Sequence, residues 1–143
     1  MADFRESFNK VILAEGGYVN DPDDKGGETY LGISRVNHPY SVMWEIIDTI
    51  KKEKGTKNIN AILKKDERLI KEAERIYKNK YWDVLYLDEV PSQKIAHQLF
   101  DDAVNRGVGS AIRVAEHVMG MTPTGKFSDA LLTNLRKYGT NKK

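Results

Sequence analysis

Apolar side chains recur at steps of three and four along most of this chain, and that period predicts a succession of short amphipathic helices. The first is expected to start at Asp3, where Asp3-x-x-Glu6 has the form of a capping box, and to bury Phe4, Phe8, Val11 and Ile12. A second falls within 38–54, after His38-Pro39, with Met43, Ile46, Ile47 and Ile50 on one face. Lys54-Gly55-Thr56-Lys57-Asn58 breaks it. A short helix around Ile59 to Leu63 follows, then a longer one from about Asp66 to Lys80 that turns Leu69, Ala73, Ile76 and Tyr77 inward. The adjacent Tyr81-Trp82 reads as core first and as a sugar-stacking surface second. Ser92 is the expected N-cap of a helix burying Ile95, Ala96, Leu99, Phe100 and Ala103. Two more complete the chain: Ser110 to Met119, with Ala111, Ala115 and Val118 inside, and one near Ser128 to Lys137 that uses Leu131, Leu132 and Leu135.

The helical period fails over residues 15–33, where two glycine pairs frame a loop rich in carboxylates. Extending the buried face of the first helix lands on Glu15, with Gly16-Gly17 ending the helix. An apolar face desolvates a carboxylate and a helix C-terminus is the negative end of the dipole. Both disfavour ionisation, so the expectation is a raised pKa, suited to a general acid. An ordinary helix-terminal Glu with its head in water fits the spacing equally well. Asp21, Asp23 and Gly26 imitate part of a calcium loop, but Lys25 and Gly32 occupy positions that need ligands. A phosphate cradle fails as well, because no strand precedes the glycines and no Lys-Ser/Thr follows them. Thr29-Tyr30-Leu31-Gly32-Ile33 has local strand character, which predicts a small β-hairpin. The fold class is therefore mainly α, with at most one small β element or irregular loop near residues 15–33.

Composition narrows the chemistry. At 143 residues, 40% apolar and 31% charged, the chain can bury a real core. It holds no cysteine, which removes disulfides, thiol nucleophiles and Cys-based zinc sites. A net charge of +2 is too small to announce nucleic-acid binding, although 51–80 is locally basic. No apolar run reaches the length of a membrane span, and no signal peptide is visible at the N-terminus. The expectation is synthesis in the cytoplasm, with a separate export route if the substrate lies outside.

No Gly-x-Ser-x-Gly elbow is present, and His38, His97 and His117 do not form a His-Glu-x-x-His helix, so neither a serine nucleophile nor a metal site is expected. Paired carboxylates remain. Glycoside hydrolysis uses one protonated carboxylic acid at the leaving oxygen and one carboxylate that activates water or attacks the sugar. Glu15 suits the first role and Asp24, in a polar loop, the second; the Thr29 hydroxyl could hold a water.

Glu15-Gly16-Gly17-Tyr18 followed by Asp24-x-Gly26-Gly27-x-Thr29-x-x-Gly32-Ile33 resembles the signature of glycoside hydrolase family 108, the lysozyme-like N-acetylmuramidases of phages, prophages and bacteria, some described as secretion activators. The resemblance continues through Tyr81-Trp82 and Leu99-Phe100-Asp101-x-Ala103-Val104-Asn105-x-Gly107, covering about residues 5 to 110. It implies a lysozyme-like helical fold and cleavage of the β-1,4 bond between N-acetylmuramic acid and N-acetylglucosamine. Glu15 takes the place of the family's catalytic acid, and Asp24 and Thr29 match the loop's Asp and Thr. Tyr18, Asn20, Tyr30 and Asn105 are then expected to contact substrate, with no cofactor and no metal. The implied partner is the glycan strand of peptidoglycan, reached in the periplasm or exterior through a holin or another export route, without stable membrane insertion.

The implied organisation is a catalytic domain over 1–108, with 109–143 resembling the start of a peptidoglycan-binding region packed on the same domain. Family members usually continue further in Leu-Gln and Gly motifs, from which this chain departs. The alternative function is a non-catalytic, peptidoglycan-binding or secretion-activating factor that keeps the fold.

Overall fold

The computed structural model describes residues 2–21, 23 and 27–141, the last three by backbone alone. It has the expected class: helices dominate, and a small antiparallel sheet follows the first of them. Its contacts divide the chain into two compact units, residues 10–76 and residues 1–9 with 77–143, so that helix α1 (Phe4–Ala14) begins in one and ends in the other.

In the 10–76 unit the chain leaves α1 at Gly16-Gly17 and forms three short strands, β1 (Val19–Asn20), β2 (Glu28–Tyr30) and β3 (Ile33–Ser34), in the order β1-β2-β3. Val19 pairs with Thr29, Asn20 with Glu28, Thr29 with Ser34 and Tyr30 with Ile33. The expected hairpin is thus extended to a three-stranded meander. Leu31-Gly32 joins β2 to β3 with both residues at positive φ, 52° and 76°, as two-residue turns that follow the strand twist require.

Helices α2 (Val42–Lys54), α3 (Ile59–Lys64) and α4 (Glu67–Tyr77) follow. Ser41 caps α2: its Oγ accepts the Met43 N–H at 3.2 Å and donates to Glu72 of α4 at 2.6 Å. Met43 and Ile47 are fully buried as expected, but Ile46 and Ile50 are half-buried, and Trp44 fills the core instead. Tyr30 and Ile33 of the sheet, Leu63 of α3 and Leu69, Ala73 and Ile76 of α4 are also buried.

In the other unit α4 does not run on to Lys80. After Tyr77 the chain widens into a π-helical turn (Lys78–Trp82) and then tightens into two 3₁₀ turns (Asp83–Leu85 and Leu87–Glu89). That irregularity seats Trp82, which is wholly buried with its Nε1 donating to Asp88 at 2.8 Å. Phe4 and Phe100 meet Trp82 edge-on at 5.5 Å each, and Phe8 meets Tyr77 at 5.6 Å. Such edge-to-face contacts add to the burial of large rings. The Tyr81-Trp82 pair therefore reads as core for Trp82, with Tyr81 half-buried against Tyr77.

Helix α5 (Gln93–Arg106) starts at Ser92, whose Oγ accepts the Ile95 N–H at 3.2 Å. His97 is structural: its Nδ1 lies 3.0 Å from the buried Ser7 hydroxyl. α6 (Val108–Val118) and α7 (Asp129–Asn141) complete the unit. Ala111 and Ala115 are buried as expected but Val118 is 61% exposed, because the buried stripe of α6 runs through Ile112 and Glu116 and leaves the last residue at its margin. Glu116 accepts the Thr124 and Gly125 N–H groups at 2.7 and 2.9 Å and the Thr124 hydroxyl at 2.8 Å, anchoring the 121–126 turn from inside.

Candidate active site

The candidate site grows from the last turn of α1. The Glu15 N–H still donates to the carbonyls of Val11 and Ile12, at 3.1 and 3.2 Å, so the residue remains fixed to the helix end while its side chain is half-buried. Two contacts then set the path of Gly16-Gly17-Tyr18. The Gly16 carbonyl accepts the Leu31 N–H at 3.1 Å, and the Tyr18 N–H donates to Asn60 Oδ1 at 2.6 Å. A Cβ on Gly17 would overlap the Asn60 carboxamide, so Asn60 can hold this position only against a glycine.

Glu15 lines a cleft of about 480 Å³ together with Leu13, Tyr30, Leu31, Asn60 and Asp66. Ile12, Leu63 and Ile70 extend its apolar wall. Asp66 is the other carboxylate on that lining. It caps α4, its Oδ1 accepting the Arg68 N–H at 3.0 Å, and it receives Arg68 Nε and Nη2 at 3.0 and 2.6 Å. Those side-chain hydrogen bonds hold its carboxyl below the usual carboxylate range against the opposing effect of burial. Burial, and secondarily the Asp66 charge, push the Tyr30 phenol up.

A polar cluster underlies the sheet. Glu28, with its side chain 9% exposed, receives Lys51 Nζ at 3.0 Å, Arg35 Nη1 at 2.9 Å and a short hydrogen bond from the Tyr18 hydroxyl. Arg35 also forks onto Asp48 at 2.8 and 2.7 Å, and Lys51 Nζ stands 5.4 Å from the centre of the Tyr18 ring. Burial alone would raise the Glu28 carboxyl; the hydrogen bonds from Tyr18, Arg35 and Lys51 outweigh it and hold it low. Arg35 is pushed above its ordinary value by Asp48 first and Glu28 second.

The expected site residues therefore divide. Glu15 and Tyr30 line the cleft, although Tyr30 is only 5% exposed. Tyr18 is half-buried with its hydroxyl committed to Glu28. Asn20 is exposed opposite Glu28, and Thr29 is half-buried in the middle of the sheet. Asp24 lies outside the described residues. Asn105 is exposed on α5, in the other unit, and its Nδ2 donates to Asp101 at 3.2 Å. Asn60, Asp66, Leu31 and Glu28 were not expected. Asp66 was legible only as the start of a helix, and Glu28 only as a spacer between Gly27 and Thr29.

Among the described residues, no group of three or more His, Cys, Asp or Glu side chains is placed to hold a metal ion. Residues 8–107 match the family model for glycosyl hydrolase 108. The chain is similar to the solved structure of Brucella abortus SagA, with 28% identity and a TM-score of 0.63, over 94% of this chain and 68% of that one. No curated protein matches it.

Proposed function

The chain belongs to the glycosyl hydrolase 108 family, and from that premise we propose that it cleaves the β-1,4 bond between N-acetylmuramic acid and N-acetylglucosamine in peptidoglycan, with Glu15 as general acid. The observation that carries this reading is the place of Glu15, fixed by the last turn of α1 along a cleft with apolar walls. In this reading the Glu15 carboxyl carries the proton for the leaving oxygen, from a cleft it shares with Asp66 and Lys64. As the glycosidic C–O bond breaks, that proton passes to the departing sugar oxygen. A water adds to the anomeric carbon and gives up its own proton to a base. The resemblance matches Asp24 and Thr29 to the family's loop Asp and Thr; in this reading Asp24 is the second carboxylate, the Thr29 hydroxyl holds a water, and Tyr18, Asn20, Tyr30 and Asn105 contact the glycan.

No helix among the described residues is long and apolar enough to cross a membrane. A holin or another export route to the wall is part of the same proposal. Mass analysis of fragments released from purified peptidoglycan tests the reading. Muramic acid at the new reducing end is expected, and Glu15→Gln should abolish release while the protein stays folded. A folded Glu15→Gln protein that still clears peptidoglycan overturns the assignment. Wild-type protein that sediments with peptidoglycan but releases no sugar points instead to a non-catalytic or secretion-activating role.

A further inference from the structure

Leu31 sits where the local backbone disfavours it. It occupies the first position of a two-residue turn between the paired Tyr30 and Ile33, at φ 52°, and is followed by Gly32 at φ 76°. Turns of this kind select Asn, Asp or Gly there, because a left-handed backbone crowds the Cβ of other residues. Asn58 and Tyr86 are also left-handed among the described residues; Asn58 is of the tolerant type, and Tyr86 is a second bulky exception, away from the Glu15 cleft. Leu31 is not repaid by the core: it is half-buried, whereas the neighbouring Tyr30 and Ile33 are 5% and 3% exposed. A strained apolar residue that stays partly in water is the kind of outlier from which a functional role is argued.

Its surroundings give that role. The Leu31 N–H is bonded to the Gly16 carbonyl, one residue from Glu15, so turn and acid are tied through a single peptide unit. Leu31 and Leu13 both line the Glu15 cleft, and Leu13 is 86% exposed. Two leucines are thus held in water on the walls that flank a carboxyl, with Asn60 and Asp66 as polar groups on the same lining. An apolar wall with a few placed polar groups is how ligand sites fix orientation. An N-acetylated pyranose offers the matching chemistry: a C–H face and an acetyl methyl beside hydrogen-bonding hydroxyls.

We propose that Leu31, with Leu13, contacts the apolar side of the N-acetylated sugar whose glycosidic oxygen Glu15 protonates, and that the turn accepts a left-handed leucine to place this wall. The proposal rests on the glycosidase reading and names a specificity-determining contact within it. The bound sugar and the leucine together exclude water from the Glu15 carboxyl.

The test compares Leu31→Asn, the residue the turn prefers, with Leu31→Met, which keeps an apolar wall. KM, kcat and pH profile are measured on soluble glycan strands prepared from peptidoglycan, with melting temperature alongside. Leu31→Asn is expected to melt at or above the wild-type temperature, to raise KM roughly tenfold, and to move the alkaline limb of the profile to lower pH as water reaches Glu15. Leu31→Met should restore KM and the limb. A Leu31→Asn protein with wild-type KM and pH profile overturns the proposal. So does one that melts well below wild type while losing activity, since the leucine would then be stabilising the turn. Glu15→Gln separates the two levels: if it stays active, Glu15 is not the acid and the reading on which the leucine wall rests fails. If it is inactive while Leu31→Asn behaves as wild type, only the leucine wall is lost. Binding of the same strands to Glu15→Gln with and without Leu31→Asn reads the contact without turnover, and equal affinity again overturns it.

Discussion

The Tyr18 hydroxyl donates to Glu28, a nearly buried carboxylate that also holds Lys51 and Arg35. Tyr18 immediately precedes β1 and Glu28 opens β2, opposite Asn20, so the bond ties the two strands of this hairpin together. Lys51 extends the tie to α2, and Arg35 reaches from the chain just beyond β3 to both Glu28 and Asp48 of α2. One carboxylate thereby fixes the loop hairpin to a helix. It is a positioning group and does not line the Glu15 cleft.

Glu28→Gln should therefore cost about 1.5–3 kcal/mol of stability at neutral pH, the scale of hydrogen bonds made by charged groups. The pH dependence follows from the depressed carboxyl. A folded-state pKa below the unfolded value contributes stability that is present above about pH 4.3 and is lost as pH falls through the folded value. Asp48, held low by Arg35, acts in the same direction and remains in the variant. Urea unfolding between pH 7 and pH 3 should show a shallower acid loss for Glu28→Gln than for wild type. Parallel curves would mean that the cluster is too solvated to matter.

The Gly17–Asn60 contact makes a second expectation. An alanine at 17 must push the Asn60 carboxamide aside and so break its bond to the Tyr18 N–H. Because Asn60 is an exposed side chain that can move, the stability cost should be only about 1 kcal/mol. The loss of activity should be larger, since the displaced backbone begins two residues from Glu15. A double-mutant cycle separates clash from backbone preference. With Asn60→Ala already made, Gly17→Ala should cost much less than in the wild-type background. Additive costs would show that Asn60 is not the reason for the glycine.

These relationships show what was legible in the sequence. Apolar spacing located the helices, and it located Glu15, because a helix writes its buried face into positions three and four apart. It misjudged Val118, at the margin of its face, and overlooked Trp44, because the buried face of α2 is turned away from Ile46 and Ile50 toward Trp44. β1 was missed because a two-residue strand carries almost no alternation. Glu28 was invisible for another reason: its partners are 7, 10 and 23 residues away, and no local pattern records such convergence. Gly32 was read inside a stretch of strand character, and nothing in the sequence marks Leu31 as left-handed. The family resemblance supplied what spacing could not, the choice of Asp24 among three nearby aspartates.

That choice can be set against Asp66, which shares the cleft with Glu15 and is held ionised by Arg68. Its oxygens are already engaged as the cap of α4 and in the Arg68 pair, which leaves it poorly placed to take a proton from water. Asn caps a helix about as well as Asp, and Arg68 is a largely exposed partner with its side chain 68% accessible. Asp66→Asn should then change stability by no more than about 0.5–1 kcal/mol. Removing its negative charge from the cleft should make Glu15 easier to ionise, so the alkaline limb of the activity profile should move to lower pH with kcat reduced only modestly. Asp24→Asn should instead lower kcat by about 10²-fold or more across the whole pH range, as loss of a general base does. The reverse pattern, with Asp66→Asn inactive and Asp24→Asn close to wild type, would transfer the second catalytic role to the residue that caps α4.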